Sequence, residues 1–303
     1  MNLKVNIAGV TLNNPVITAS GTFGFGREYG KFYDLKEIGG VSVKGLTLLP
    51  RQGNTAPRIA ETPSGILNSV GLQNPGVEYY IEHELPFLKE AGTCAIANIA
   101  GSSIEDYCRM AEIVSESDTD MVEMNISCPN VKEGGVAFGT VPKTVAEITK
   151  AVRKYCKKPL IVKLSPNVTD ITETARAAES EGADALSLIN TLTGMVIDIN
   201  NRRPILHNNI GGLSGPAVKP VAVRMVWQVA NAVKVPIIGM GGIATGEDAI
   251  EFMLAGASAV MVGTYNFVDP YAAVKVVRGI EEYMTKHGIE DVNDIVGGVI
   301  LNG

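Results

Sequence analysis

This sequence lacks several features that would place it in a familiar class. Its 303 residues contain only four cysteines and three histidines, and no two cysteines form a C-x-x-C pair. Cysteines so scattered give no ligand set for zinc or an iron–sulfur cluster, so reduced thiols are expected. The histidines, His83, His207 and His287, show no metal-ligand spacing. No uninterrupted apolar run approaches the roughly 18 residues that a membrane-spanning helix needs.

Charge gives little indication of a macromolecular partner. Lys and Arg together number 26 against 32 Asp and Glu, a formal net charge of −6 at pH 7. Such a chain has no general electrostatic attraction to nucleic acid or an anionic membrane, although a local basic pocket can still hold an anionic ligand. The start at Met1 leads into a polar, strand-like stretch rather than a signal core. We therefore expect a soluble, cytoplasmic protein.

Short strand-like runs recur along the chain, and each is followed by a segment with helical features. With 46% hydrophobic and 19% charged residues, the composition is that of a globular protein, and residues 1–303 are expected to form one domain. The eight runs are Pro15–Ala19, Gly40–Leu46, Cys94–Ile99, Met121–Ile126, Leu160–Leu164, Ala183–Ile189, Pro236–Met240 and Ala259–Val262.

Candidate helices lie between these runs. They are Glu28–Glu37, Glu78–Ala91, Ile104–Glu116, Lys143–Tyr155, Ile171–Glu181, Pro216–Ala232, Glu247–Ala255 and Tyr271–Lys286. Regular alternation indicates parallel strands, and eight units favour a (β/α)8 TIM barrel of the α/β class over an open sheet. Leu3–Ile7 and Val10–Leu12 predict an extra N-terminal β-hairpin. Thr47–Val77 is a long insertion after the second strand, and loops of this length in compact domains are usually functional or disordered.

In a barrel, the residues that end the strands share one cavity, where the active sites of such barrels are built. Here these positions hold amides, glycines, lysines and hydroxyls: Ser20-Gly21-Thr22, Lys44-Gly45, Asn98, Asn125 with Cys128, Lys163, Asn190-Thr191, Gly241-Gly242 and Gly263-Thr264. Three asparagines of the insertion, Asn54, Asn68 and Asn74, are either ligand contacts or ordinary turn residues.

Lys44 and Lys163 lie in otherwise apolar strand-like runs. A buried lysine needs an internal partner or a ligand, and neither run contains a carboxylate. This favours a functional role for both lysines, and the placement of acids elsewhere adds no pattern.

Glycine pairs follow the seventh and eighth runs, in MGGIATGED and VGT. Loops at these positions are the usual phosphate site of such barrels, because bare backbone N–H groups face the anion. Glycine also serves plain turn geometry, so the motif by itself leaves both interpretations open.

Cys128 stands just past the fourth run, in MVEMNISCPNVKEGG. Pro129 disfavours a helical conformation for the residue before it. A thiol near pKa 8.5 becomes a useful base or nucleophile when nearby cations favour its thiolate, and Lys44 and Lys163 are candidates for that role. Gly134-Gly135 would let the loop close over a ligand. The alternative is a small, inert hydrophobic residue.

Several motifs together resemble one enzyme family. NISCPN, VSVKGLTLLPRQGN, TPSGILNSVGLQNPGV, IVKLSPN, LINT, LSGPAVKP, GMGGI and VGT are similar to the dihydroorotate dehydrogenases, in particular the catalytic subunit of the class 1B, NAD-linked form. The resemblance covers nearly the whole chain in order. It implies an FMN-bearing barrel that oxidises (S)-dihydroorotate to orotate in pyrimidine biosynthesis. Cysteine in SCPN resembles class 1, since class 2 enzymes use serine there and carry an N-terminal membrane-associating extension.

The resemblance also implies a set of site residues. Contacts with FMN are expected from Ser20, Lys44, Gly45, Asn98, Asn125, Lys163, Ile189, Gly215, Gly241, Gly242, Gly263 and Thr264. Contacts with substrate are expected from Lys44, Asn68, Ser69, Val70, Gly71, Leu72, Asn125, Asn190 and Thr191. Cys128 would remove the proton from ring carbon five of dihydroorotate. Lys163 would stabilise negative charge on the reduced cofactor.

Class 1B resemblance further implies a partner subunit that carries FAD and a 2Fe-2S cluster and passes electrons to NAD. The expected assembly is a heterotetramer around a homodimer of catalytic subunits. Three other interpretations remain: the fumarate-linked class 1A activity, a flavin-free aldolase barrel with Lys163 as Schiff-base nucleophile, and a non-enzymatic interaction module. A bound yellow chromophore separates the flavin enzymes from the aldolase.

Overall fold

The computed structural model describes residues 1–126 and 138–302. Within them the strands, in chain order, are β1 (Val5–Ile7), β2 (Val10–Leu12), β3 (Val16–Thr18), β4 (Gly40–Ser42), β5 (Ile59–Thr62), β6 (Gly65–Asn68), β7 (Cys94–Ile99), β8 (Met121–Asn125), β9 (Leu160–Lys163), β10 (Ala185–Leu188), β11 (Leu192–Gly194), β12 (Ile197–Asp198), β13 (Arg203–Pro204), β14 (Gly211–Ser214), β15 (Ile237–Met240) and β16 (Ala259–Val262).

Helices follow the barrel strands on the outside. They are α1 (Val77–Tyr79), α2 (Leu85–Glu90), α3 (Ile104–Ser115), α4 (Pro142–Arg153), α5 (Ile171–Ser180), α6 (Lys219–Ala230), α7 (Gly246–Leu254) and α8 (Ala272–His287). A π-helical turn over Tyr80–Glu84 joins α1 to α2. No helix in the described part of the chain is long and apolar enough to cross a membrane.

Eight parallel strands close into a barrel in the order β3, β4, β7, β8, β9, β10, β15 and β16, which then pairs with β3. All eight predicted runs contain these strands, so the prediction of a (β/α)8 barrel is confirmed. Strands such as β9, β10, β15 and β16 are buried along their whole length. They are covered by helices outside and by packed side chains inside, which explains their continuous apolar sequences.

Two elements lie outside the barrel, an N-terminal hairpin that the sequence predicted and a four-stranded sheet that it did not. The expected N-terminal hairpin is present, because β1 pairs with β2 in antiparallel register. The insertion after the second strand holds β5 and β6, which join β14 and β11 in a four-stranded sheet. The second half of that sheet comes from a separate excursion after the sixth barrel strand, which the sequence did not indicate.

One predicted helix is wrong. Residues 28–37 form two short 3-10 turns, Tyr29–Lys31 and Leu35–Glu37, instead of a continuous helix. Asp34 is extended and its side chain accepts from the backbone N–H of Lys36, so it begins a new turn. Short polar side chains that bond the local backbone in this way compete with helix propagation.

Candidate active site

The carboxyl ends of the barrel strands bring most of the predicted residues to one end of the barrel. Gly45, just past β4, lies beside Asn98 of β7, because a Cβ on Gly45 would be 3.1 Å from the Asn98 Oδ1. The same position is 3.9 Å from the Ser20 Oγ. Lys44 is half-buried, and its Nζ lies 3.9 Å from where a Cβ on Gly21 would stand. These residues therefore form one wall of the site.

A carboxylate that sequence reasoning missed lies under this wall. Glu123 of β8 is fully buried, and its Oε1 stands 4.0 Å from the Nζ of Lys163, which is 5% exposed. The lysine whose own run offers no partner thus meets a carboxylate from the neighbouring strand. The sequence feature that could have identified Glu123 is that it is the single acid in the apolar run MVEMN, two residues before Asn125. Alternation along a strand puts both side chains on the same face.

Amides line the next part of the site. The Asn190 Nδ2 donates to the Asn125 Oδ1 at 3.0 Å, which joins the ends of the fourth and sixth barrel strands. Tyr107 fixes the strand end itself, since its hydroxyl donates to the carbonyl oxygen of Asn125 at 2.7 Å. Thr191 stands against Gly212 of β14. A carboxamide pair of this kind offers both donors and acceptors to a polar ring.

The segment Asn68–Leu72 reaches this area from the insertion. Asn68 ends β6, and its Nδ2 donates to the carbonyl oxygen of Gly212 at 3.3 Å. Leu72 has φ of 57° and places its Cδ2 3.2 Å from where a Cβ on Gly45 would be. The segment thereby touches both the amide side and the Lys44 side of the site.

The other two asparagines of the insertion serve the loop itself. Asn74 is buried, and its side chain bonds Thr47, Leu72 and Gly76. The Asn54 Nδ2 donates to the carbonyl oxygen of Ser69 at 2.8 Å. Their contacts agree with the turn-residue alternative, and they hold the Asn68–Leu72 segment in place.

A polar cleft opens beside Lys44. Its volume is about 640 Å³, and its walls include the three cations Arg27, Lys44 and Arg51 and the two acids Glu28 and Glu84. Arg27 is committed to Glu84, because its Nε donates to the Glu84 Oε2 at 2.6 Å. The cleft gives the Lys44 side of the site a cationic approach in an otherwise acidic protein.

Glycines of the seventh and eighth strand ends, with Gly215, form another edge of the mouth. Gly215, Gly241 and Gly242 have φ of 106°, 125° and 82°, a region that favours glycine. A Cβ on Gly242 would lie 2.9 Å from the carbonyl oxygen of Gly215, and one on Gly215 would lie 3.5 Å from the Cγ2 of Thr264. Within the described residues, no carbonyl oxygen accepts from the backbone N–H groups of Gly241, Gly242 or Gly263. These three glycines, together with Gly263, are called the glycine cradle below.

Asp248 fastens the glycine cradle to two helices. Its Oδ2 accepts from the backbone N–H groups of Ala244 and Thr245 at 2.9 Å, which completes a capping box at the start of α7. Its Oδ1 accepts from the Lys219 Nζ at 2.7 Å, at the start of α6. Burial acts to raise the pKa of Asp248, but the hydrogen bonds from Lys219 and from these two N–H groups bring that pKa below its ordinary value.

We expect Asp248→Asn to lower the free energy of unfolding by about 1–2 kcal/mol at pH 7, because a cap and a charge-assisted bond are both weakened. A carboxyl with a lowered folded pKa stabilises the fold above its unfolded pKa and loses that effect as the pH falls. The difference between wild type and variant should therefore shrink below about pH 4. Urea unfolding at pH 7 and pH 3 measures it. A difference of equal size at both pH values would contradict the assignment.

The residues present fit FMN as a cofactor. The glycine cradle supplies backbone donors suited to a phosphate at the strand-seven and strand-eight loops. At the other end of the site, the Asn98 Oδ1 is buried with no hydrogen-bond partner in the described part of the chain. Buried acceptors are normally satisfied, so this atom calls for a donor from a bound group. Ile189 adds an apolar contact, its Cγ1 3.2 Å from where a Cβ on Gly241 would stand.

Cys128 lies outside the described residues, as do Gly134 and Gly135, so its role stays a prediction. The other three cysteines are free thiols. Burial raises the pKa of Cys94 to about 12 and also raises the pKa values of Cys108 and Cys156. These three thiols are thus protonated at neutral pH. Among the described residues, no group of three or more His, Cys, Asp or Glu side chains could hold a metal ion.

Comparison with known proteins identifies the family of the chain. The sequence model of the family described as dihydroorotate dehydrogenase matches residues 2–284. A relative from Alkaliphilus oremlandii, named dihydroorotate dehydrogenase B (NAD(+)), catalytic subunit, is 62% identical over 296 residues, 98% of each chain. Proteins of the same name from Bacteroides fragilis and Thermoanaerobacter pseudethanolicus are 58% and 56% identical over 299 residues, covering 98% and 99% of this chain and 99% of theirs. The chain belongs to the dihydroorotate dehydrogenase family.

Proposed function

We propose that this protein oxidises (S)-dihydroorotate to orotate in pyrimidine biosynthesis, as the FMN-dependent catalytic subunit of an NAD-linked dihydroorotate dehydrogenase. The observation that carries the proposal is that one barrel mouth holds the glycine cradle together with a carboxamide pair and two lysines. Family membership over nearly the whole chain supports the same reaction.

When bound, FMN supplies the acceptor for the hydride that leaves ring carbon six of the substrate. The chain supplies the rest. Backbone N–H groups of the glycine cradle would hold the phosphate, while Ser20, Gly45, Asn98 and Lys163 would hold the ring system. Cys128, as a thiolate, would take the proton from ring carbon five, a general-base role.

Substrate recognition would fall to the amides and Lys44. The pair formed by Asn125 and Asn190 offers donors and acceptors to the pyrimidine ring, and Asn68–Leu72 with Thr191 would close the pocket. Lys44 would attract the substrate carboxylate from the side of the polar cleft. These contacts orient the ring relative to the base, and such orientation can account for much of a rate enhancement.

A partner subunit is part of the proposal. The relatives are named as catalytic subunits, which supports a second chain in the assembly. We infer that the partner subunit, and not the chain described here, carries FAD and a 2Fe-2S cluster and passes electrons to NAD, as the class 1B resemblance implies. A heterotetramer built on a dimer of catalytic subunits, in the cytoplasm, is the expected arrangement.

An anaerobic absorbance titration tests the proposal. The purified chain is expected to show a flavin band that bleaches when dihydroorotate is added. The band should recover with NAD only after a partner subunit is supplied. Recovery with fumarate alone would indicate the class 1A activity instead. A chain that never holds FMN, even after reconstitution, would overturn the proposal and favour the aldolase alternative with Lys163.

A further inference from the structure

Glu123 connects four strands inside the barrel. Its Oε2 accepts from the Ser42 Oγ at 2.7 Å and from the Asn98 Nδ2 at 2.6 Å. Its Oε1 accepts from the Ser187 Oγ at 2.7 Å and stands 4.0 Å from the Lys163 Nζ. These partners belong to β4, β7, β10 and β9 respectively. Both carboxylate oxygens are therefore in use, and the side chain is 0% exposed.

A buried carboxylate at this position costs stability. Removing a charge from water is compensated only when hydrogen bonds and a countercharge surround it, and well-packed apolar residues are often as stable or more stable. Barrel interiors are usually filled by branched apolar side chains. Stability alone therefore does not explain why Glu123 is buried here. We look for the explanation in the polar groups that its hydrogen-bond partners direct toward the site.

Asn98 is the clearest such member. A carboxylate only accepts hydrogen bonds, so the amide nitrogen of Asn98 must face Glu123 and the amide oxygen must face the other way. That oxygen is the buried acceptor without a partner among the described residues, close to where a Cβ on Gly45 would lie and on the Ser20 side of the mouth. Glu123 consequently orients the Asn98 amide so that its oxygen, an acceptor, faces the barrel mouth, and its NH2 group, a donor, does not.

Lys163 is the second member. Its Nζ is held within 4.0 Å of the carboxylate at the end of β9, and β8 separates this strand from the one that carries Asn98. The pyrimidine edge of a flavin carries one N–H between two carbonyl groups. An acceptor and a cation presented from one barrel mouth are complementary groups for that edge, and presenting them requires both side chains in their present orientation.

We propose that Glu123 is a positioning residue for the cofactor: its Oε2 sets the orientation of the Asn98 amide, and its Oε1 holds the Lys163 ammonium at the same barrel mouth. The proposal rests on the FMN-dependent function given above. Glu123 does not touch the reacting atoms; it acts through Asn98 and Lys163.

The test compares FMN binding by four variants with wild type. In Glu123→Gln, the new NH2 group must face either the amide nitrogen of Asn98 or the ammonium of Lys163, so one of them is displaced. We expect the dissociation constant for FMN to rise about tenfold, a change of about 1.4 kcal/mol. Flavin fluorescence on dilution of the holoprotein reports the constant, and thermal unfolding reports stability.

Ser187→Ala is the matched control. It removes one donor from the other oxygen of the same carboxylate but leaves Asn98 and Lys163 their anion. This variant should bind FMN within about twofold of wild type even if its melting temperature falls. An equal loss of FMN in Ser187→Ala and Glu123→Gln would show that the network acts only through stability, which overturns the proposal.

The double variant Asn98→Asp/Glu123→Gln provides the rescue. In this variant the carboxylate introduced at position 98 would accept from the NH2 group introduced at position 123. It would again present an acceptor toward Gly45, with the net charge of the pair restored. FMN binding should recover relative to Asn98→Asp alone, and this comparison remains informative if Glu123→Gln does not fold.

Absence of recovery in the double variant, or wild-type FMN binding by Glu123→Gln, would contradict the inference. Failure of the proposed function is a distinct outcome, because wild type itself would then hold no FMN.

Discussion

Replacing Cys128 with alanine is expected to slow the reduction of bound flavin by dihydroorotate about 10²-fold to 10⁴-fold, the range typical of a lost general base. Binding of orotate should remain, because the amides of Asn125 and Asn190 and the ammonium of Lys44 are unaffected. Anaerobic stopped-flow measurement of the flavin band gives the rate, and an orotate titration gives the affinity.

Cys108→Ala is the control for this prediction. Cys108 is a half-buried free thiol on α3 whose pKa burial raises, so its loss should leave the rate unchanged. If Cys128→Ala reduced its flavin at the wild-type rate, Cys128 would be removed from the mechanism. If both variants slowed equally, a general effect on the fold would be the better explanation.

Gly242→Ala is expected to weaken FMN binding about tenfold to a hundredfold. Gly242 has φ of 82°, and its Cβ would lie 2.8 Å from the Cβ of Lys219 and 2.9 Å from the carbonyl oxygen of Gly215. Strain of this kind costs on the order of 1–3 kcal/mol, and relief of the contact must move the backbone N–H groups proposed to hold the phosphate. Flavin content after gel filtration and the FMN dissociation constant measure the effect.

A second glycine with positive φ, away from the site, serves as the control. It separates the effect of backbone strain from the effect of the location in the glycine cradle. Gly288 ends α8 with φ of 67°, and nothing lies within 4 Å of where its Cβ would be. Gly288→Ala should therefore lose stability from the unfavourable φ yet keep FMN. Equal flavin content in the two variants would mean that the glycine cradle does not hold the phosphate.

Local sequence predicted the barrel because each strand and helix is identified by its own residues. Runs such as LIVK and AVMV are buried throughout, which is the pattern of strands covered on both faces, and the intervening segments are long enough for helices. The prediction failed at residues 28–37, where Asp34 bonds the backbone locally and interrupts the helix. The excursion that supplies β11 and β14 was missed because its pairing with β6 joins residues far apart in the chain.

The site could be predicted in part for a related reason. A lysine in an apolar strand and a glycine pair at a strand end can each be recognised from a single run, so the sequence named Lys44, Lys163, Gly241 and Gly242 as candidate site residues. The sequence left the roles of Asn54 and Asn74 open, because asparagine is equally suited to a turn and to a ligand contact. Residue type alone does not separate the two. Glu123 was missed, since its importance depends on partners from four other strands.

By itself, the sequence determined the eight strand-and-helix units, the chemical character of the strand ends and the family resemblance. Each of these depends on residue type and local order, which the chain carries directly. Only the tertiary structure decided which side chains face one another: it paired Lys163 with Glu123, turned the oxygen of Asn98 toward Gly45, and joined Gly215 to Gly242. Barrel closure sets these distances, because it brings strand ends from throughout the chain into one mouth.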